Sequence, residues 1–113
     1  MKKITLQLSP RQLNTLAHIF SYVNQVFSKE REKLVLKSIL DDVVIKTQKK
    51  NVEVMVKTQN LFAAKTKTKL TFKFHEADAL EKFLLMAQEN IAMSPYDGNV
   101  VLFLISKINQ QLA

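Results

Sequence analysis

Few side chains in this chain could act as a base, a nucleophile or a metal ligand. The 113 residues include two histidines, no cysteine and one glycine. His75 precedes Glu76 and Asp78, which could supply metal ligands, but this spacing at the start of a helix is generic and has no further partner. A thiol nucleophile and a glycine-rich phosphate loop are both incompatible with the composition. The sequence therefore predicts a non-enzymatic protein with no catalytic residues, metal or cofactor, and no evident small-molecule substrate.

The other candidate residues have simpler interpretations. His18 lies at the edge of an apolar helical stripe, where a boundary position is commoner than a catalytic one. His75 occupies a position equivalent to Ser9, which predicts a role in capping a helix. Asp41 and Asp42 fall on a helix and are expected on its solvated face.

The clearest pattern in the sequence is a pair of amphipathic strands. From Lys65 to His75, apolar residues at Leu70, Phe72 and Phe74 alternate with polar ones, a period of two that is typical of a strand with one buried face. The stretch 3–9 alternates in the same way. The outward positions of the two strands form the predicted contact surface: Lys3, Thr5, Gln7, Lys67, Lys69, Thr71 and Lys73.

Positive charge is concentrated in the middle of the chain. Residues 46–73 carry eight lysines and one acid, whereas residues 74–113 carry two lysines and five acids. The formal net charge of +7 for the whole chain equals that of the middle segment. Such a segment favours anionic partners, nucleic acid among them. A plainer interpretation is that the lysines keep the strands soluble and protect a sheet edge.

Helical segments follow each strand. Ser9, Pro10 and Gln12 predict an N-cap, a first helical residue and a capping box, and this helix is expected to end near Phe27. Ser28 can cap a second helix. Residues 46–64 fit either a helix or a strand; we favour a helix, which either continues the second one or restarts after Asn51.

The second half shows the same order. A strand to His75 is followed by a helix, and Ser94 and Pro95 then cap a last one. Leu102 and Phe103 widen the apolar surface of this last helix, which would make it central or covered by another subunit. A strand over 100–105 is the alternative.

The two halves align at an offset of 66 to 68 residues, which indicates equivalent structures. The sequence predicts a single α+β domain, mostly helical, of two βαα units in tandem: 3–45 and 65–112, joined by a basic connector, 46–64. We expect the strands to pair antiparallel, with the helices packed on one face. Pairing within one chain and pairing between two chains are both compatible with this pattern.

This order of elements resembles the ribbon-helix-helix family of DNA-binding proteins, over residues 3–45 and more loosely 67–112. The resemblance implies that outward strand residues enter the major groove. In this chain those positions are Thr5, Gln7, Thr71 and Lys73, with Lys3 and Lys69 beside them.

The chain also departs from that family. Its first helix is longer, and its inter-helix turn lacks the usual glycine. Glu30, Glu32 and Asp97 lie near helix N-termini that would otherwise attract a phosphate.

Two functions follow from these patterns. One is a nucleic-acid-binding module that contacts DNA or another polyanion through the strands; the other is a dimeric protein-interaction or scaffold domain without nucleic-acid binding. For either we expect a homo-oligomer. The longest apolar run, 100–105, is too short for a bilayer, so no membrane partner is expected. The absence of cysteine and of a signal peptide suggests the cytoplasm.

Overall fold

The computed structural model describes residues 3–23, 31–57 and 67–113. It is an α+β structure, mostly helical, with a two-stranded antiparallel sheet. The elements in chain order are β1 (Lys3–Leu8), α1 (Pro10–Ile19), a 3₁₀ helix (Phe20–Tyr22), α2 (Arg31–Lys57), β2 (Thr68–Lys73), α3 (Phe74–Asn90) and α4 (Pro95–Leu112).

The two strands pair within one chain. Their register places Thr5 opposite Thr71, Ile4 opposite Phe72 and Leu6 opposite Leu70. Because side chains alternate along a strand, this register puts all of the apolar strand residues on one face. The resulting two-stranded sheet is called the ribbon below.

The apolar face of the ribbon forms one side of the hydrophobic core. Ile4, Leu6, Leu8, Leu70 and Phe72 are each at most 2 % exposed. The helices cover this face and contribute the rest of a single cluster, in which the rings of Phe20 and Phe83 stack at 5.6 Å between centroids. The opposite face of the ribbon carries polar side chains. The predicted alternation of both strands is therefore confirmed over the paired residues.

The helix starts at Ser9 and Ser94 agree with the prediction. Ser9 Oγ accepts from the backbone N–H of Gln12 at 3.2 Å, and Gln12 Oε1 accepts from the Ser9 N–H at 3.0 Å, which completes the capping box. Ser94 Oγ accepts from the Asp97 N–H at 3.2 Å. A proline follows each serine at the first helical position, where it needs no N–H partner.

The predicted end of the second strand is wrong by two residues. The strand ends at Lys73 and α3 begins at Phe74, because Glu76 Oε1 accepts a 2.8 Å hydrogen bond from the Lys73 N–H and so stabilises a helix start there. His75 is therefore inside the first turn of α3 and not its cap. Phe74, predicted to point inward, is 45 % exposed.

Other boundaries also differ from the prediction. The first helix tightens into a 3₁₀ turn at Phe20–Tyr22 and Val23 is helical again, so its expected end near Phe27 is not tested. Phe27, and the cap predicted at Ser28, lie outside the described residues. Residues 46–57 continue α2, as favoured over a strand, while 58–64 lie outside the described part. The alternative strand over 100–105 is wrong, since these residues belong to α4.

The α4 helix is partly central. Val101, Leu104 and Ile108 are fully buried, and Val100 is nearly so, whereas Leu102 remains 52 % exposed. Among the helices in the described ranges, none has a stretch both apolar and long enough to cross a lipid bilayer.

We predict that Phe72→Ala lowers the free energy of unfolding by about 3–5 kcal/mol, because it opens a cavity where the ribbon meets the helices. Thr71→Ala, on the exposed face one residue away, serves as the control and should lower it by at most about 1 kcal/mol. Urea denaturation followed by circular dichroism measures both. Equal effects of the two substitutions would contradict the assignment of the buried face.

Candidate nucleic-acid interface

The structure brings the seven predicted contact residues together on the exposed side of the ribbon. This surface, the ribbon face, consists of Lys3, Thr5, Gln7, Lys67, Lys69, Thr71 and Lys73. The register sets three cross-strand pairs on it: Lys3 with Lys73, Thr5 with Thr71, and Gln7 with Lys69. The hydroxyls of the central threonine pair are 3.5 Å apart. Lys67 directly precedes β2, and all of these side chains are exposed except Thr5, which is half-buried.

Three lysines of α2 extend the basic surface beyond the ribbon. Lys46, Lys49 and Lys50 line a depression of about 410 Å³ together with Lys69 and Thr71. These lysines are not among the predicted contact residues, because the pattern of residues 46–64 fits both a helix and a strand. The Lys46-x-x-Lys49-Lys50 spacing, one turn of a helix, is the signal that could have identified them.

Acidic side chains near this surface are engaged with lysines. Lys50 Nζ lies 3.8 Å from a carboxylate oxygen of Glu53, and Lys46 Nζ lies 3.4 Å from Glu76 Oε1. The lysines of the ribbon face itself have no ion pair within the described residues. Positive charge therefore exceeds negative charge along the ribbon and its α2 side.

Each edge of the ribbon is closed at its centre by a side chain from a helix. On the β1 edge, Gln111 of α4 makes two hydrogen bonds to Thr5: its Oε1 accepts from the Thr5 N–H at 2.9 Å, and its Nε2 donates to the Thr5 carbonyl at 2.8 Å. On the β2 edge, Lys46 Nζ donates to the Thr71 carbonyl at 3.0 Å and lies 5.4 Å from the centroid of the Phe72 ring. These contacts join α2 and α4 to the strands.

A groove runs between β1 and α4. Its volume is about 370 Å³, and its walls include Gln7, Lys67, Phe103 and Lys107. Gln111 lies at one end, beside Thr5. Lys107 and Phe103, one and two turns earlier on α4, line the rest of the α4 side. The sequence pattern predicts only that Phe103 belongs to the apolar surface of the last helix. Its position at the groove depends on how α4 docks on β1.

The ionisation of Glu76 is tied to the fold. Burial opposes its ionised form and raises its pKa, but the hydrogen bond from the Lys73 N–H and the charge of Lys46 outweigh burial. The pKa of Glu76 therefore lies below its ordinary value of 4.5. The ionised carboxylate caps α3 and holds Lys46 in place at the same time.

The two histidines lie on different helices, His18 on α1 and His75 on α3. His18 is exposed and meets the edge of the Tyr22 ring at 5.9 Å between centroids, and His75 is exposed on the first turn of α3. Asp41 and Asp42 lie exposed on α2, as predicted. No three His, Cys, Asp or Glu side chains converge on a point within the described ranges.

Comparison with known proteins identifies no relative, since no family model, curated protein or solved structure matches the chain.

We predict that Gln111→Ala lowers the free energy of unfolding by about 1–3 kcal/mol, because the Thr5 backbone loses both partners in a partly buried position. The adjacent, exposed Gln110→Ala is the control. Amide hydrogen exchange of Thr5 should accelerate in the Gln111 variant only. Unchanged exchange at Thr5 would show that the side-chain contact does not protect this edge.

The lowered pKa of Glu76 predicts a loss of stability in acid. A carboxyl whose folded pKa is below its unfolded pKa contributes stability above the unfolded value and loses it as the pH falls through the folded one. The free energy of unfolding should therefore decrease as the pH falls below about 4.5. Glu76→Gln should make this decrease shallower, whereas Glu89→Gln, an exposed carboxylate on the same helix, should leave it as in the wild type. Denaturant titrations across this pH range measure the difference.

Proposed function

We propose that this chain is a non-enzymatic nucleic-acid-binding module whose contact surface is the ribbon face. The observation that carries the proposal is the co-location of four ribbon lysines with Lys46, Lys49 and Lys50 on one contiguous side of the molecule. Lysine ammonium groups meet phosphates, while threonine and glutamine side chains can bond to base edges. A two-stranded ribbon also has the width that the major groove of DNA admits.

The arrangement of the lysines favours binding over simple protection of sheet edges. Lys3 and Lys73 lie directly opposite each other, and like charges at that spacing destabilise a strand pair unless an anion lies between them. The central edges at Thr5 and Thr71 are already closed by Gln111 and Lys46, so the ribbon lysines are not needed there to prevent strand addition.

The proposal includes that the ribbon comes from two equivalent βαα units, as the resemblance to ribbon-helix-helix proteins implies. The register places Thr5 against Thr71, the pair that the 66-residue offset relates, so a pseudo-two-fold axis would pass between them. Lys46 and Gln111 close the two edges at these two threonines. In this interpretation one chain carries the two half-ribbons that the family obtains from two chains.

The helix N-termini take no part in the proposed contact. At α4, Ser94 already accepts from the Asp97 N–H, and the Asp97 carboxylate would repel a phosphate. Affinity would therefore come from lysines, which makes it strongly dependent on salt.

A dimeric protein-interaction domain is the second candidate, and one observation favours it. Ile45, Val52 and Val56 are 60–72 % exposed and lie on one side of α2, spaced by seven and four residues. Such a stripe on a long helix is typical of a surface that packs against another helix. A stable dimer by light scattering, with no DNA binding at low salt, would favour this candidate over the first.

We predict that Lys69→Gln with Lys73→Gln lowers the affinity for a DNA duplex and reduces the salt dependence of binding. Each lost phosphate contact removes about 0.9 from the slope of log K against log salt, so the slope should fall by about two. Fluorescence anisotropy titrations at several salt concentrations measure both quantities.

The control removes the same charge elsewhere: Lys37→Gln with Lys82→Gln, on α2 and α3 outside the ribbon face. This variant should keep the wild-type slope. If both double variants lose affinity equally, the effect comes from net charge and the ribbon face is not the contact surface. Wild-type protein that binds no nucleic acid at low salt would refute the proposed function itself.

A further inference from the structure

The groove between β1 and α4 contains a pair of backbone hydrogen-bonding groups, those of Gln7, that meet no partner among the described residues. In an antiparallel pair, alternate residues direct their N–H and C=O away from the partner strand. Thr5 does so, since both of its groups bond to Gln111 at the outer edge. Gln7, two residues on, directs its groups to the same edge, where it lines the groove. No described residue bonds to the Gln7 backbone.

The contact at Thr5 shows what could occupy the neighbouring position. The planar amide of Gln111 satisfies one N–H and one C=O of the strand with a donor and an acceptor side by side. Every nucleobase carries a donor and an acceptor next to each other on its Watson–Crick edge. A base could therefore pair with the Gln7 backbone as the Gln111 amide pairs with Thr5.

An added peptide strand fits this groove less well than a single planar group. Strand addition needs a run of alternate open residues along an edge. Here the run stops at Gln7, because the backbone groups of Thr5, the preceding residue that faces this edge, already bond to Gln111. The open length of edge suits one ring rather than a strand.

The groove walls supply the other two interactions that a nucleotide requires. Phe103 is half-buried and lines the groove, and Lys107 Nζ lies over its ring, 5.8 Å from the centroid. Lys67 lies on the opposite, strand side of the same groove. Aromatic side chains stack bases, and flanking cations hold the backbone phosphates, in proteins that bind single strands.

We propose that this groove binds one unpaired nucleobase, with its edge on the Gln7 backbone, its ring against Phe103 and its phosphate at Lys67 or Lys107. The proposal rests on the proposed function and adds to it a site for nucleic acid that contains unpaired bases. A base inside a duplex is paired and stacked, so it cannot enter the groove without leaving the helix.

The test compares a fluorescently labelled oligothymidylate of about 12 nucleotides with its duplex with oligodeoxyadenylate. Phe103→Leu removes the ring and keeps an apolar side chain. It should weaken single-strand binding by about tenfold and leave duplex binding unchanged. Leu102→Ala, at the exposed neighbouring position outside the groove, is the control and should bind both as the wild type does.

A second measurement on the unaltered protein keeps the test decisive if Phe103→Leu folds poorly. Titration with thymidine 5′-monophosphate, followed by ¹H–¹⁵N correlation spectra, should shift the Gln7 amide more than the Thr5 amide. A Gln7 amide that does not respond to the nucleotide overturns the inference. A parallel titration with an extended peptide is the comparison, and a response of Gln7 to the peptide alone overturns the inference as well.

The two proposals fail in different ways. If the ribbon face does not bind nucleic acid, neither the single strand nor the duplex binds at low salt. If only the groove inference is wrong, both bind, and Phe103→Leu affects neither.

Discussion

The register of the two strands is the constraint on which the rest of the structure depends. Setting Thr5 opposite Thr71 places the apolar residues of both strands against the helices and the lysines on the other side. A slip of one residue would bring the lysines of one strand into the core, at a cost that the structure could not offset. Packing of the apolar residues therefore decides which strand residues lie on the exposed face. The proposed contact surface is a consequence of how the core is built.

The contacts at the ribbon edges link this register to the helices. Gln111 and Lys46 each reach a threonine at the centre of the ribbon, from α4 and α2. An isolated two-stranded sheet is marginally stable at best, and these contacts add to the apolar packing that holds it. They also place α2 beside β2, which sets the lysines of α2 next to the ribbon face. Glu76 contributes to the same arrangement, since it caps α3 and holds Lys46.

Much of the fold was predictable from local patterns. The alternation in both strands and the caps at Ser9 and Ser94 are short-range signals, and these four features are sufficient to predict the α+β class. The end of β2 was not predictable in this way. A histidine after alternating residues fits a strand, but the Glu76 carboxylate starts the helix at Phe74 instead. The change of α1 to a 3₁₀ turn at Phe20 likewise has no marker such as glycine or proline in the sequence.

The sequence by itself determined the seven residues of the ribbon face, because a period of two assigns each side chain to one face whatever the partner strand is. Only the tertiary structure decided that the strands pair within one chain, that α2 carries its lysines to the β2 edge, and that Phe103 lines a groove beside Gln7. These features depend on how elements far apart in the chain dock on each other. Docking is set by the combined shape of the buried faces, which no local pattern in the sequence contains.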